Sequence, residues 1–119
     1  MSFDFELGTK DGIQELALKG RLDSATFIAL EKTIGGLFES ANDRVLIDFS
    51  ALNYISSAGL RLILVAAKRA RQVGGRLILC GLTPSVREVF EISGFLKIMD
   101  TEQNQELARK ALMSAPVSI

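Results

Sequence analysis

Two short apolar runs, Val45-Leu46-Ile47-Asp48-Phe49 and Arg76-Leu77-Ile78-Leu79-Cys80, constrain the fold of this chain more than any other feature. Each is short, carries β-branched residues and reads as a strand covered on both faces, the pattern of a parallel sheet. Between them, Leu60, Ile63, Leu64 and Ala67 recur at helical spacing before a Gly74-Gly75 stop, with Arg61, Lys68, Arg69 and Arg71 left for solvent. After them come Val86, Val89 and Phe90, in a segment that opens with Thr83-Pro84 and ends at Gly94. Proline at the first helical position costs nothing, because its missing N–H would have no intrahelical partner there. Strand-helix-strand alternation of this kind folds as parallel strands with helices packed against them.

The flanking segments complete the order. Phe3 and Phe5 alternate with Asp4 and Glu6, and Leu16 and Leu18 alternate with Glu15, Ala17 and Lys19, on either side of Gly8-Thr9-Lys10-Asp11-Gly12. Two antiparallel strands around a glycine-bounded turn fit this best. Asp23-Ser24 offers an N-cap for a first helix carrying Phe27, Leu30, Ile34, Leu37 and Phe38 to about Ser40. Residues Ser50 to Ser56 read as a loop, and Phe95 to Met99 as a short edge strand. Asp100 or Thr101 then caps a last helix with Leu107, Ala108, Ala111 and Leu112 on one face. The expectation is a single α/β domain over residues 1–119, order β-β-α-β-α-β-α-β-α, with a mixed, mostly parallel sheet. Residues 113–119 form a tail free to fray or to dock.

Composition then removes whole classes of function. With 119 residues, 48% of them hydrophobic, the chain can bury a core without a staple, and its single cysteine, Cys80, allows no internal disulfide. Fourteen basic residues balance fourteen acidic ones, which argues against non-specific binding of nucleic acid or anionic membranes. The absence of histidine excludes Ser-His-Asp and Cys-His nucleophiles, His-ligated zinc and imidazole acid-base chemistry. Met1 to Leu7 carries Asp4 and Glu6 and lacks the basic start and apolar run of a secretory signal. The longest apolar stretch, Leu62 to Ala67, is far short of the roughly twenty residues that span a bilayer. A cytoplasmic protein without cofactor or metal, and not an enzyme, is the expectation.

The candidate site is Tyr54-Ile55-Ser56-Ser57-Ala58-Gly59-Leu60, between a central strand and the best-patterned helix. A helix N-terminus presents unpaired N–H groups and the positive end of the macrodipole. A serine there can cap the helix, or it can carry a phosphate that those same groups stabilise. Ala58 and Gly59 leave room for a partner to reach the hydroxyl. Cys80, at the end of a buried strand, reads as a small core residue.

The stretch Val45 to Ser50 followed by Tyr54 to Leu64 resembles the signature of the STAS domain family, the anti-sigma factor antagonists. Gly20-Arg21-Leu22-Asp23, Gly74-Gly75-Arg76-Leu77 and Val86 to Gly94 match in order, so the resemblance covers nearly the whole chain. It implies a small switch that acts by binding. Unphosphorylated, such a protein binds an anti-sigma factor that is also a serine kinase; phosphorylation of one serine ends that binding, and a metal-dependent serine phosphatase restores it. The motif places the phosphoacceptor at Ser57, with Ser56 as a minor alternative standing where many members have aspartate. Asp23 and Asp48 match acidic positions that border the serine, Asp48 at the end of the central strand. The implied partner-binding surface comprises Asp23, Ser24, Asp48, Tyr54, Ser56, Ser57, Ala58, Gly59 and Arg61. The implied protein is a monomer or weak dimer that binds no nucleic acid and does not insert into membranes. A second reading is a STAS subunit or regulator of a transporter or sensory complex, whose serine need not be phosphorylated.

Overall fold

The computed structural model describes residues 3–39 and 43–114, so most of the expected tail lies outside the described residues. The element order is β1 (Phe3–Lys10), β2 (Ile13–Leu22), α1 (Phe27–Gly35), β3 (Arg44–Ile55), α2 (Ser57–Val73), β4 (Arg76–Cys80), α3 (Pro84–Ser93), a 3-10 turn (Phe95–Lys97), β5 (Asp100–Glu102) and α4 (Gln105–Met113). One five-stranded sheet runs β1-β2-β3-β4-β5, antiparallel only between β1 and β2. Right-handed crossovers through strands taken in that order put α1, α2 and α3 on one face. Their residues share one core with the strands, including Leu30, Ile34, Ile63, Ala66, Val86 and Phe90. Among the described residues only α4 packs on the other face, where Ala108 and Leu112 cover Ile13, Leu46, Ile78 and Cys80. Among the described residues no helix is long and apolar enough to cross a membrane.

Element order and fold class match the expectation, and several boundaries move. The hairpin turn contracts to Asp11-Gly12, both at positive φ (55° and 78°), the two-residue geometry that matches strand twist, so β1 runs on through Gly8-Thr9-Lys10. α1 ends at Gly35, and Leu37 and Phe38 are buried from the segment beyond it. Phe95 to Met99 is not a strand: Gly94 at φ 80° stops α3, and Lys97 and Ile98 donate back to the Gly94 and Phe95 carbonyls, closing a 3-10 turn. The edge strand is Asp100–Glu102 instead, beside Ile78–Cys80. The last helix is capped by Asn104, whose side-chain oxygen accepts the Leu107 N–H at 2.9 Å; Leu107 is exposed and only Ala108 and Leu112 face fully inward.

The main correction concerns residues 50–55, which continue β3 rather than forming a loop. Phe49, Leu52 and Ile55 are spaced by three, out of step with a strand's period of two, yet all reach the core. Register shifts against β2, between Ala17 and Lys19 and again between Gly20 and Arg21, each absorb one extra residue of β3. β4 ends opposite Asp48, and beyond it the hydroxyl of Thr83 donates to the Leu52 carbonyl at 3.1 Å, tying the start of α3 to the extension. This extension delivers the chain to the start of α2.

Candidate functional site

At the end of β3 the Ser56 N–H donates to the Leu22 carbonyl at 2.9 Å, anchoring the entry to α2 on the end of β2. Ser56 is the N-cap: its backbone is extended, its hydroxyl oxygen accepts the Gly59 N–H at 3.2 Å, and its carbonyl accepts from Leu60 at 2.8 Å. Ser57 is therefore the first residue of the helix, and its side chain is exposed while Ser56 is half-buried. Of the two adjacent serines, one is committed to holding the helix and the other faces solvent at its positive end.

Gly59 explains how closely the helix approaches. A Cβ there would lie 2.8 Å from Leu22 Cγ and 2.9 Å from the Leu22 carbonyl oxygen, so only glycine lets the first turn of α2 sit on the end of β2. Leu22 and Ile55 turn into the core, while Arg21 and Tyr54, paired in the sheet, turn the other way. The Arg21 guanidinium lies 4.1 Å from the centre of the Tyr54 ring, a cation–π contact on a ring that remains 40% exposed. On the helical side, Phe27, Glu31, Ala58, Arg61, Leu62 and Val65 line a groove of about 140 Å³ between α1 and α2. Ile28 and Val65 stand exposed on these two helices. The exposed serine thus sits among apolar surface that a partner could cover.

The two acidic residues have different fates. Asp23 stays at the site as the cap of the turn entering α1. Its Oδ1 accepts the N–H groups of Ala25 and Thr26 and the Thr26 hydroxyl, each at 3.0 Å, while Thr26 Oγ1 accepts the Asp23 N–H at 2.9 Å. This reciprocal pairing at a spacing of three is a capping box, with Ser24 exposed in the turn it closes. The Thr26 hydroxyl bond, helped by the two N–H groups and Arg21 and opposed by partial burial, holds the Asp23 carboxyl below its usual range.

Asp48 is not at the strand end and does not border the serine. It lies opposite Ala17, whereas Ile55 lies opposite Leu22, five residues along β2, or about 17 Å at strand rise. Its carboxylate accepts the Ser50 N–H at 3.0 Å and the Gln105 side-chain amide at 2.8 Å, so it holds the start of α4. Gly81, at φ 69°, clears the same carboxylate, which a Cβ would approach to 2.9 Å. Cys80 is fully buried beside it, and burial first, then the Asp48 charge, push its thiol up to about 12, an unreactive thiol.

The structure therefore brings together Asp23, Ser24, Tyr54, Ser56, Ser57, Ala58, Gly59 and Arg61 at one end of the sheet and sends Asp48 elsewhere. Sequence reasoning missed Thr26, Arg21 on Tyr54, and the groove flanked by Ile28 and Val65. The signals were present: a threonine three residues after an N-cap aspartate, and apolar residues on the outward side of two helices.

Comparison with known proteins identifies the family and the fold. A STAS domain model matches residues 4–108. BtrV of Bordetella bronchiseptica, which carries the name of an anti-sigma factor antagonist, is 46% identical over 105 residues, 88% of this chain and 90% of that protein. An anti-sigma factor antagonist from Mycobacterium paratuberculosis superposes with a TM-score of 0.83 at 23% identity, covering 95% of this chain and 96% of the other. The Bacillus cell fate determinant SpoIIAA, solved in its phosphorylated form, superposes at 0.68 with 24% identity over 91% of this chain and 99% of its own. With the family model covering most of the chain and a relative at this level of identity, the chain belongs to the STAS domain family.

Proposed function

We propose that this protein is an anti-sigma factor antagonist that switches partners through Ser57. In the unphosphorylated state the surface around the start of α2 binds an anti-sigma factor with serine kinase activity. Phosphorylation of Ser57 ends that binding and a metal-dependent serine phosphatase restores it, all within the cytoplasm. The observation that supports this most is the division of labour between the serines: Ser56 Oγ holds the helix, and Ser57 is exposed at its first position. The name carried by the 46% identical relative supports the partner class.

The physical step is a change of charge at a preformed surface. A phosphate adds about −1.5 to −2 charges, and packing that charge against a partner without a cation costs several kcal/mol. About 1.4 kcal/mol already gives a tenfold loss of affinity, so release needs no refolding. The helix itself tolerates the phosphate, because a negative group in the first turn is favoured by about 0.3–1 kcal/mol. Ser56 caps as an aspartate would, without adding a second negative charge next to the phosphate.

The test is intact mass and peptide mapping after incubation with ATP and a cytosolic extract of the source organism, for the wild type and Ser57→Ala. One phosphate on Ser57, missing in the variant, is the expected result. Modification at Ser56 alone would move the acceptor by one residue. No phosphate, under conditions that modify a known antagonist, would overturn the switch.

A further inference from the structure

Among the described residues the sheet ends on one side in β1, eight residues long and paired only with β2. The opposite edge, β5, has three residues. In a hairpin closed by a two-residue turn, Lys10 and Ile13 form the hydrogen-bonded pair, and bonding then alternates along the ladder. Asp4, Glu6, Gly8 and Lys10 direct their backbone groups to β2. Phe3, Phe5, Leu7 and Thr9 direct theirs to the outer edge, where the Phe5 N–H donates to the Asp4 carboxylate at 2.8 Å and the remainder is a template for another strand.

The side chains on this edge discriminate among registers. Antiparallel pairing of β1 with a second β1 must place residues of the same face opposite each other. With Leu7 opposite Leu7, seven residues of each strand pair, Asp4 faces Lys10 twice, Phe5 faces Thr9 and Glu6 faces Gly8. Leu7, 44% exposed in the single chain, then meets its own copy at the centre. A shift toward the N-terminus centres Glu6 on Glu6, and a further shift sets Asp4 against Glu6, both like-charge pairs. A shift the other way centres on Gly8 and sets Glu6 against Lys10 twice, but it pairs five residues instead of seven and leaves Asp4 and Phe5 outside. The hydrogen-bonding pattern is compatible, since Leu7 and Thr9 direct their backbone groups to the edge and the Phe5 N–H would exchange the Asp4 carboxylate for a strand partner, releasing Asp4 to face Lys10.

We propose that β1 is a self-pairing edge: two copies of this chain join antiparallel through β1, with Leu7 opposite Leu7, into one continuous sheet. The occupant of the edge is a second copy because the Asp4–Lys10 complementarity belongs to the strand paired with itself. The Phe3 end of β1 lies beside Gly20, near the end of the sheet that carries Ser56 and Ser57. A two-fold axis at Leu7 therefore sends the two α2 N-termini to opposite ends of the joined sheet, both open. Neither the proposal nor its test depends on phosphorylation of Ser57.

The experiment is sedimentation equilibrium of the full chain from micromolar to millimolar concentration. A monomer–dimer equilibrium is expected, weakened about tenfold by Lys10→Glu, which replaces two attractive pairs with two repulsive ones. Adding Asp4→Lys to Lys10→Glu restores the wild-type constant to within about threefold by reversing both signs. As a second readout, a short thiol-bridging reagent should link Leu7→Cys protomers but not Glu6→Cys protomers, with the native Cys80 buried and silent. A monomer at every concentration, a dimer indifferent to Lys10→Glu, or bridging of Glu6→Cys in preference to Leu7→Cys would each overturn the proposal.

Discussion

The two faces of the sheet are held by different forces. On the face that carries the site, α1, α2 and α3 close over a continuous apolar core in which Phe38, Phe49 and Phe90 are fully buried. On the other, α4 contributes only Ala108 and Leu112 to complete burial and is fastened mainly by polar links. Asp48 holds the Gln105 amide, Arg109 pairs with Glu15, and Arg76 donates to the Ala111 and Ser114 carbonyls at 2.9 and 3.3 Å. Apolar burial resists opening everywhere at once, whereas a few polar links can open locally. The fold thus places Ser57, the proposed switch, on the face held by apolar burial, where the start of α2 is fixed by its own cap and by Leu22.

The sharpest way to break this comparison is to damage each face separately. Phe90 meets Phe49 edge-on at 5.8 Å, and Phe90→Ala should cost about 3–5 kcal/mol, read as a lower urea midpoint with an unchanged slope. On the other face, Arg109→Met strands the Glu15 carboxylate, which is about one fifth exposed, and should cost about 1–3 kcal/mol. The larger contrast lies in distribution. Amide exchange should quicken across α4 while the amides of α1 to α3 keep their protection. Equal quickening on both faces would show that the two layers open as one unit.

Within the face held by apolar burial, the two serines sharpen the contrast further. Ser56→Ala removes the acceptor for the Gly59 N–H and should cost about 1 kcal/mol, whereas Ser57→Ala, at an exposed first-turn position, should stay within about 0.5 kcal/mol of wild type. Thermal denaturation of the two variants side by side checks this. A larger loss for Ser57→Ala would mean that Ser57, not Ser56, holds the helix.

What could be read from the sequence follows the same division. Strand-helix alternation from Val45 onward was legible because core burial imposes clean periodicity, and so were the serine motif and the glycine stops. Residues 50–55 were not, because two register shifts give Phe49, Leu52 and Ile55 a spacing that matches neither strand nor helix. The edge strand was misplaced because Phe95 and Leu96 are apolar enough to resemble a strand, while the segment that pairs, Asp100-Thr101-Glu102, is polar and short. Asp48 was misassigned for a different reason. Its place in a strand says nothing about which helix start lies over it, and the Gln105 contact spans 57 residues of sequence.

Asp23 gives the smallest effect and the finest test, because the start of α2 and the turn entering α1, which meet at the site, are capped by different chemistry. Ser56 is a neutral cap, and Asp23 is a charged one whose carboxyl is lowered from 3.8, chiefly by the Thr26 hydroxyl. A carboxyl lower in the folded than in the unfolded chain contributes stability that is complete above the unfolded value. That contribution is lost as pH falls through 3.8 toward the folded value. Asp23→Asn keeps an oxygen acceptor for the Ala25 and Thr26 N–H groups and removes only the charge. Urea midpoints for wild type and Asp23→Asn should therefore differ at neutral pH and converge as pH falls below 3.8, while the gap between wild type and Ser56→Ala stays flat over the same range. A gap at Asp23 that also stays flat would mean that the cap works through its hydrogen-bond geometry alone. In that case both helix starts would be held by the same kind of bond, and protonation near the site would leave the surface around Ser57 unchanged.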